Sequence, residues 1–158
     1  MHVHEIMTRQ AQSCRPEDTL ERAAQLMWSS DCGCIPVCVG DGVHRVAGMI
    51  TDRDICMSAL FQGKALKDLR VESAMSKSVE TCRSSDSLAQ AEKIMRSARV
   101  RRLPVLDEQG ALVGMISLAD LAREAASEPP KRKREISESE VGDTLAAICQ
   151  PPQQSTAA

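Results

Sequence analysis

Apolar positions recur along this chain in a helical rhythm and an extended one, and the alternation of the two occurs twice. In "DTLERAAQLMW", Leu20, Ala23, Ala24, Met27 and Trp28 fall at i, i+3, i+4, i+7 and i+8, the spacing of an amphipathic helix. "DSLAQAEKIM" repeats it with Leu88, Ala91 and Met95. Asp18 and Asp86 stand ahead of these runs, where an N-cap is wanted. "CIPVCV" and "VAGMI" flank Gly40-Asp41-Gly42, and "RLPVLD" and "ALVGMI" flank Glu108-Gln109-Gly110, so each pair predicts a hairpin. A short extended piece, "AQSC" or "SVETC", precedes each helix, and a second helix follows each hairpin at about 52–60 and 118–126.

The recurrence keeps register. Val3, Met7, Cys14, Asp18, Leu20, Ala23, Met27 and Pro36 are matched 68 residues later by Val71, Met75, Cys82, Asp86, Leu88, Ala91, Met95 and Pro104. Beyond the proline the offset is 66, as for Gly48 with Gly114 and Asp54 with Asp120. The first copy therefore carries two extra residues in the turn-rich "VGDGVHRVAG". The chain reads as a duplication. The expected class is α/β (α+β), with one strand–helix–hairpin–helix repeat over 1–60, a connector at 61–70 ("FQGKALKDLR") and a second repeat over 71–126. Each repeat is small enough that its own core would be marginal. The two are expected to pack sheet against sheet, with related clefts between them.

The tail, 127–158, changes character. Pro129-Pro130 should end the last repeat helix, and Lys131 to Arg134, close to Glu135, Glu138 and Glu140, read as a solvated loop. Ser137 and Glu140 form a capping pattern, and Val141, Leu145 and Ile148 make one apolar stripe. A last helix at about 137–149 is expected to pack on the repeats or on a dimer mate, and "QQSTAA" is expected to fray.

Composition narrows the partners. Of 158 residues 42% are hydrophobic and 27% charged, the balance of a soluble globular protein, and no apolar run reaches membrane-helix length. The start of the sequence has no apolar h-region, so the expected location is the cytoplasm. A net charge of −2 and a pI near 5.9 argue against a nucleic-acid surface. With one Trp, one Phe and no Tyr, stacking on aromatic platforms is scarcely available. A purine bound here would lie between aliphatic side chains.

Candidate chemistry lies in "GMITDRD" (48–54) and "GMISLAD" (114–120). A hydroxyl followed three residues later by an acid is a capping-box pattern, and Thr51 with Asp54 or Ser117 with Asp120 satisfies it. The same arrangement suits a ligand. A helix N-terminus favours phosphate, the hydroxyl adds a hydrogen bond, and a carboxylate one turn inside can accept both hydroxyls of a ribose. Gly48 and Gly114 would allow close approach.

These features resemble the tandem CBS-domain pair, or Bateman module. The duplicated unit, the prolines of "CIPVCV" and "RLPVLD", and above all the two signatures carry the likeness over about residues 3–126. "RPEDTLERAAQLM", "GMITDRD" and the closing "AAIC" look similar to small stand-alone bacterial pairs of the hypoxic-response type. The resemblance implies halves packed around a pseudo-two-fold axis and up to two adenosyl-ligand sites. AMP, ADP or ATP would be the usual ligand, S-adenosylmethionine or NAD a rarer one. By position, Asp54 and Asp120 would hold ribose hydroxyls, Thr51 and Ser117 would face phosphate, and Ala11 and Val79 would lie near adenine. It further implies a homodimer, and a partner protein that reads the occupied state.

The copies differ before the proline, where "ARVRRLP" supplies Arg99, Arg101 and Arg102 against Asp31, Gly33 and Cys34 in the first copy. These arginines could clamp a polyphosphate or form a solvated basic edge, and Arg53 is a weaker candidate of the same kind. No acid–base or nucleophile set points to catalysis. Seven cysteines leave at least one unpaired within the chain. Cys14 and Cys38 fall on strands expected to be parallel and adjacent, so a disulfide is geometrically possible there; reduced, buried thiols are the expectation in cytosol. "CGCIPVC" lacks the paired C-x-x-C of structural zinc, although His2, His4 and His44 could contribute. A thiol-redox or metal-responsive protein and a ligand-free dimerisation scaffold stay open as alternatives.

Overall fold

The computed structural model describes residues 1–40, 42, 44–126 and 136–150. Asp41 of the first turn, Pro129-Pro130, the run Lys131 to Arg134 and "QQSTAA" lie outside the described residues. The elements are α1 (Val3–Ile6), β1 (Thr8–Arg9), α2 (Leu20–Ser29), β2 (Cys34–Val39), β3 (Arg45–Thr51), α3 (Asp52–Gln62), 3-10 turns at Leu66–Asp68 and Val71–Ser73, β4 (Cys82–Arg83), α4 (Leu88–Ala98), β5 (Arg102–Leu106), β6 (Leu112–Ser117), α5 (Leu118–Ala126) and α6 (Glu138–Ile148). The class is mixed α/β, as the pattern of apolar positions predicts.

Hydroxyls, not carboxylates, start the first helix of each repeat. Thr19 Oγ1 accepts from the Arg22 amide at 3.1 Å, and Ser87 Oγ accepts from the Gln90 amide at 3.2 Å. Asp18 and Asp86, expected as caps, stand one residue too early. They close the preceding turns instead, accepting from the Arg15 and Arg83 amides at 2.8 and 2.7 Å. The stripes of α2 and α4 are buried as expected, except at Ala24, which is half-buried, and Trp28, which is 90% exposed.

Each hairpin is antiparallel and carries a register shift at the same place, between Val37 and Cys38 and between Val105 and Leu106. A second strand segment lies parallel beside each. β4 pairs with β5, whereas "AQSC" contributes only the bridge between Cys14 and Val37.

The far edge of each sheet comes from the other copy. β1 pairs antiparallel with β6, giving the order β1-β6-β5-β4, and Ser76 bridges Met49 on β3 in the equivalent place. The Val3 amide donates to the Asp86 carbonyl and the Val71 amide to the Asp18 carbonyl, each at 2.9 Å. Val3 is consequently buried in the second core, with Leu88, Leu103, Val105, Ile116 and Leu121. Val71 is buried in the first, with Leu20, Ile35, Val37 and Ile50. Fully burying one such valine contributes about 1.5–3 kcal/mol. The lead segment of each repeat thus completes its neighbour, and the segments cross between the halves.

The motif glycines make that crossing fit. A Cβ on Gly114 would stand 2.6 Å from the Thr8 carbonyl oxygen, and one on Gly48 would stand 2.8 Å from that of Ser76. Close approach is required, as expected, but the approaching group is backbone from the other copy.

The tail helix packs on its own chain, against α4 and α5. Val141 and Ile148 reach the second core, while Leu145 of the expected stripe is 46% exposed. Thr144 takes its place. Its hydroxyl donates to Glu92, whose carboxylate also pairs with Arg96 at 2.7 Å. A polar group buried there needs such partners, and the arginine completes the set by donating to Thr144 at 3.2 Å.

Candidate functional site

Both signatures fold as the end of a strand running straight into a helix, and both form complete capping boxes. At the first, Asp54 Oδ2 accepts from the Thr51 amide at 2.9 Å and from its hydroxyl at 2.7 Å, while Thr51 Oγ1 accepts from the Asp54 amide at 3.1 Å. At the second, Asp120 Oδ2 accepts from the Ser117 amide at 2.8 Å and its hydroxyl at 2.6 Å, and Ser117 Oγ accepts from the Asp120 amide at 3.3 Å. The structural role of the hydroxyl–acid pair is therefore real in both copies. One oxygen does it, and each Oδ1 stands outside the box. Asp54 is half-buried; Asp120 is 7% exposed and its Oδ1 is paired with Arg123.

The first amide of each of these helices is held by the turn before the preceding hairpin. The Asp52 amide donates to the Gly33 carbonyl at 3.0 Å, and the Leu118 amide to the Arg101 carbonyl at 2.8 Å. This fixes the helix starts against the turn that carries the copy-specific residues.

Beside Asp120 there is a cavity of about 450 Å³, a size that accommodates a small-molecule ligand. Both repeats build it. Ser117, Asp120 and Arg123 come from the second, Cys32, Cys34 and Pro36 from the first, and Gln10 to Gln12 from the crossing segment. Gln10 and Asp31, both in its wall, hold left-handed backbone at φ 54° and 48°. Asp31 does so because it closes the end of α2, as Arg99 closes α4 in the second copy.

The expected site residues separate accordingly. Ser117, Asp120, Arg102 and Ala11 line this one cleft, and Ala11 serves the signature of the other copy because its segment crosses over. Thr51, Asp54, Arg53 and Val79 do not line it; the first three stand together at the start of α3, with Arg53 exposed. Arg101, open to a phosphate clamp or a solvated basic edge, does not line the cleft. Its guanidinium turns to Cys149 Sγ at 3.6 Å, and Arg99 turns to Gln150 at 3.3 Å, so both meet the end of the tail helix. Alternation along β5 sends neighbouring side chains apart and leaves Arg102 facing the cleft. Arg123, Gln10, Gln12, Cys32 and Cys34 were not expected there. Only Arg123 had a legible signal, since three residues after Asp120 is the same helix face.

The thiols of Cys14 and Cys38 are free, although their strands are adjacent as expected: the Cys38 amide donates to the Cys14 carbonyl at 2.8 Å. Burial, with Asp18 and Cys38 adding to it, pushes the Cys14 thiol up to about 12. Burial also raises Cys34, against the opposing pull of the Arg102 guanidinium beside it. Among the described residues no three His, Cys, Asp or Glu side chains converge as metal donors. No helix among them is long and apolar enough to cross a membrane.

Duplicated halves that complete each other, with a hydroxyl–acid signature opening onto a cleft between them, define a tandem CBS pair. The chain belongs to the CBS-domain family, whose model matches residues 3–60 and 67–127. Among its relatives, the CBS domain-containing protein YhcV of Bacillus subtilis is 38% identical over 120 residues, 76% of this chain and 82% of that protein. Hypoxic response protein 1 of Mycobacterium tuberculosis is 35% identical over 106 residues, covering 67% of this chain and 72% of the relative. The crystal structure of Hypoxic Response Protein I with two coordinated zinc ions superposes with a TM-score of 0.70 at 31% identity, over 82% of this chain and all of that one. The CBS pair of protein MJ0100, in complex with 5'-methylthioadenosine and S-adenosyl-L-methionine, shares the fold, with a TM-score of 0.67 at 22% identity over 78% of this chain and 94% of that one.

Proposed function

We propose that this chain is a non-catalytic, cytoplasmic regulatory module that binds an adenine nucleotide (AMP, ADP or ATP) in the cleft beside Asp120. The observation that carries the reading is the composition of that cleft. A carboxylate only 7% exposed, a hydroxyl at a helix start and two arginines face one cavity whose walls belong to different repeats. The buried carboxylate suits ribose hydroxyls, the helix end and arginines suit phosphate, and aliphatic Ala11, Ile35 and Pro36 suit a purine. Because the walls come from both repeats, occupancy favours one relative packing of the halves, and a partner protein reads it. The adenosyl ligands held by the CBS pair of protein MJ0100 support the ligand class.

The chain acts as a homodimer in this reading. Both α2 and α3 carry exposed apolar side chains, Trp28 on the first and Leu60 and Phe61 on the second, whereas the corresponding helices α4 and α5 are covered by α6. A second copy covers these side chains.

A thermal-shift panel with AMP, ADP, ATP, S-adenosylmethionine and NAD tests the function. A ligand at 100 times its Kd stabilises the native state by about 2.7 kcal/mol, and an adenine nucleotide should give the largest shift. No shift with any adenosyl compound would favour the ligand-free scaffold, a reading supported by capping boxes that are complete without a ligand. The zinc held by Hypoxic Response Protein I keeps the metal-responsive reading in view, so zinc belongs in the panel; here no convergent donor set among the described residues supports it.

A further inference from the structure

The carboxylate that should receive a ribose is already occupied. Asp120 Oδ2 takes both hydrogen bonds of the capping box, and Oδ1 is paired with the guanidinium of Arg123, one turn along α5. The two partners are unequally held. Asp120 is anchored by its box and nearly buried, while the Arg123 side chain is 71% exposed and has no such anchor in that pair. Both line the cleft, and so does Arg102, whose guanidinium lies beside the Cys34 thiol.

We propose that Arg123 is a gate that selects for phosphate. This rests on the nucleotide reading above and specifies its ligand. A nucleoside entering the cleft takes Asp120 Oδ1 with its ribose hydroxyls, and the displaced Arg123 guanidinium swings onto the 5'-phosphate alongside Arg102. The selectivity follows from the exchange of partners. Separating a guanidinium from a carboxylate forfeits a charge-assisted hydrogen bond, and only an anionic ligand returns one of the same kind. Neutral adenosine opens the pair and returns nothing to Arg123. S-adenosylmethionine has no phosphate, and its sulfonium brings positive charge to two arginines, which offsets what its carboxylate could return. The first signature has no such gate, because the residue three after Asp54 is Met57. The two signatures are therefore unequal in ligand class: a nucleoside phosphate at the second, weaker discrimination at the first.

The test is calorimetric titration of the full chain with AMP and with adenosine, in an Asp54→Ala background so that the second signature is read alone. With Arg123 present, AMP should bind at least tenfold more tightly than adenosine. In Arg123→Met, AMP should weaken about tenfold or more while adenosine holds or tightens, since Asp120 Oδ1 is now free. Arg123→Gln, which keeps a hydrogen-bonding group without charge, should behave as the Met variant does. The position is exposed, and a melting curve checks that each variant is folded. An AMP-to-adenosine ratio unchanged by both substitutions overturns the gate and leaves the nucleotide reading standing. Binding of neither ligand by the parent chain overturns that reading, and the gate with it.

Discussion

Gly114→Ala asks whether the motif glycine exists for the crossing of the halves. The added methyl would lie 2.6 Å from the Thr8 carbonyl oxygen and 3.0 Å from Met7 Sδ. Non-bonded carbon contacts settle near ~3.5–4.0 Å, so β1 must retreat by about 1 Å. It has little to hold it, because only Thr8 and Arg9 pair with β6. Overpacking of this kind costs about 1–3 kcal/mol, and the reduced freedom of the unfolded chain returns about 0.4–1 kcal/mol. The net destabilisation is about 1–2 kcal/mol, which at ~2–4 °C per kcal/mol lowers the melting temperature by roughly 2–8 °C. Urea unfolding followed by far-UV circular dichroism measures it. Gly142→Ala is the control, since nothing lies within 4 Å of its Cβ position in α6. That change should stabilise by up to about 1 kcal/mol. A Gly114→Ala protein as stable as the parent would refute the claim that close backbone approach fixes the glycine.

Three other outcomes follow from the packing. Thr144→Val keeps the shape but removes one donor to the buried Glu92 carboxylate, and should cost about 1–3 kcal/mol in urea unfolding. The Cys14 and Cys82 thiols, pushed by burial to about 12 from an ordinary value of 9.0, keep their protons in the folded state where the unfolded chain has lost them. Stability should therefore fall as pH rises from about 9 toward 12, less steeply in a Cys14→Ala/Cys82→Ala variant, and mass spectrometry under native conditions should find Cys56 and Cys149 alkylated first. Sedimentation equilibrium should give a dimer that Trp28→Ser/Phe61→Ser converts to monomer without loss of secondary structure; a parent chain that sediments as a monomer contradicts the proposed interface.

Much of the fold was legible because duplication doubles every signal. The helices following the hairpins begin where the signatures say, since strand, hydroxyl and acid leave the chain one local solution. What the sequence withheld is non-local. A 68-residue offset shows that Val3 and Val71 correspond, but not that each is buried in the other's core, because hydrophobic periodicity is silent on which copy a segment joins. The caps were misplaced by one residue because Asp, Thr and Ser all suit an N-cap and only backbone geometry separates them. Trp28 continues an apolar stripe yet is exposed, since periodicity names a face without saying what covers its edge. Of the residues the sequence singles out, Ser117, Asp120, Arg102 and Ala11 line one cleft, but Arg101 is claimed by a tail helix 48 residues away, a contact no local pattern encodes.

The most direct measurement is calorimetric titration of AMP into the parent chain, Asp54→Ala and Asp120→Ala. Losing hydrogen bonds to a charged acceptor costs about 1.5–3 kcal/mol, on the order of ten- to a hundredfold in affinity. The account predicts a loss of that size at the higher-affinity site in Asp120→Ala, with Asp54→Ala sparing it. AMP binding that both variants retain undiminished would contradict it, and would leave the two carboxylates as helix caps alone.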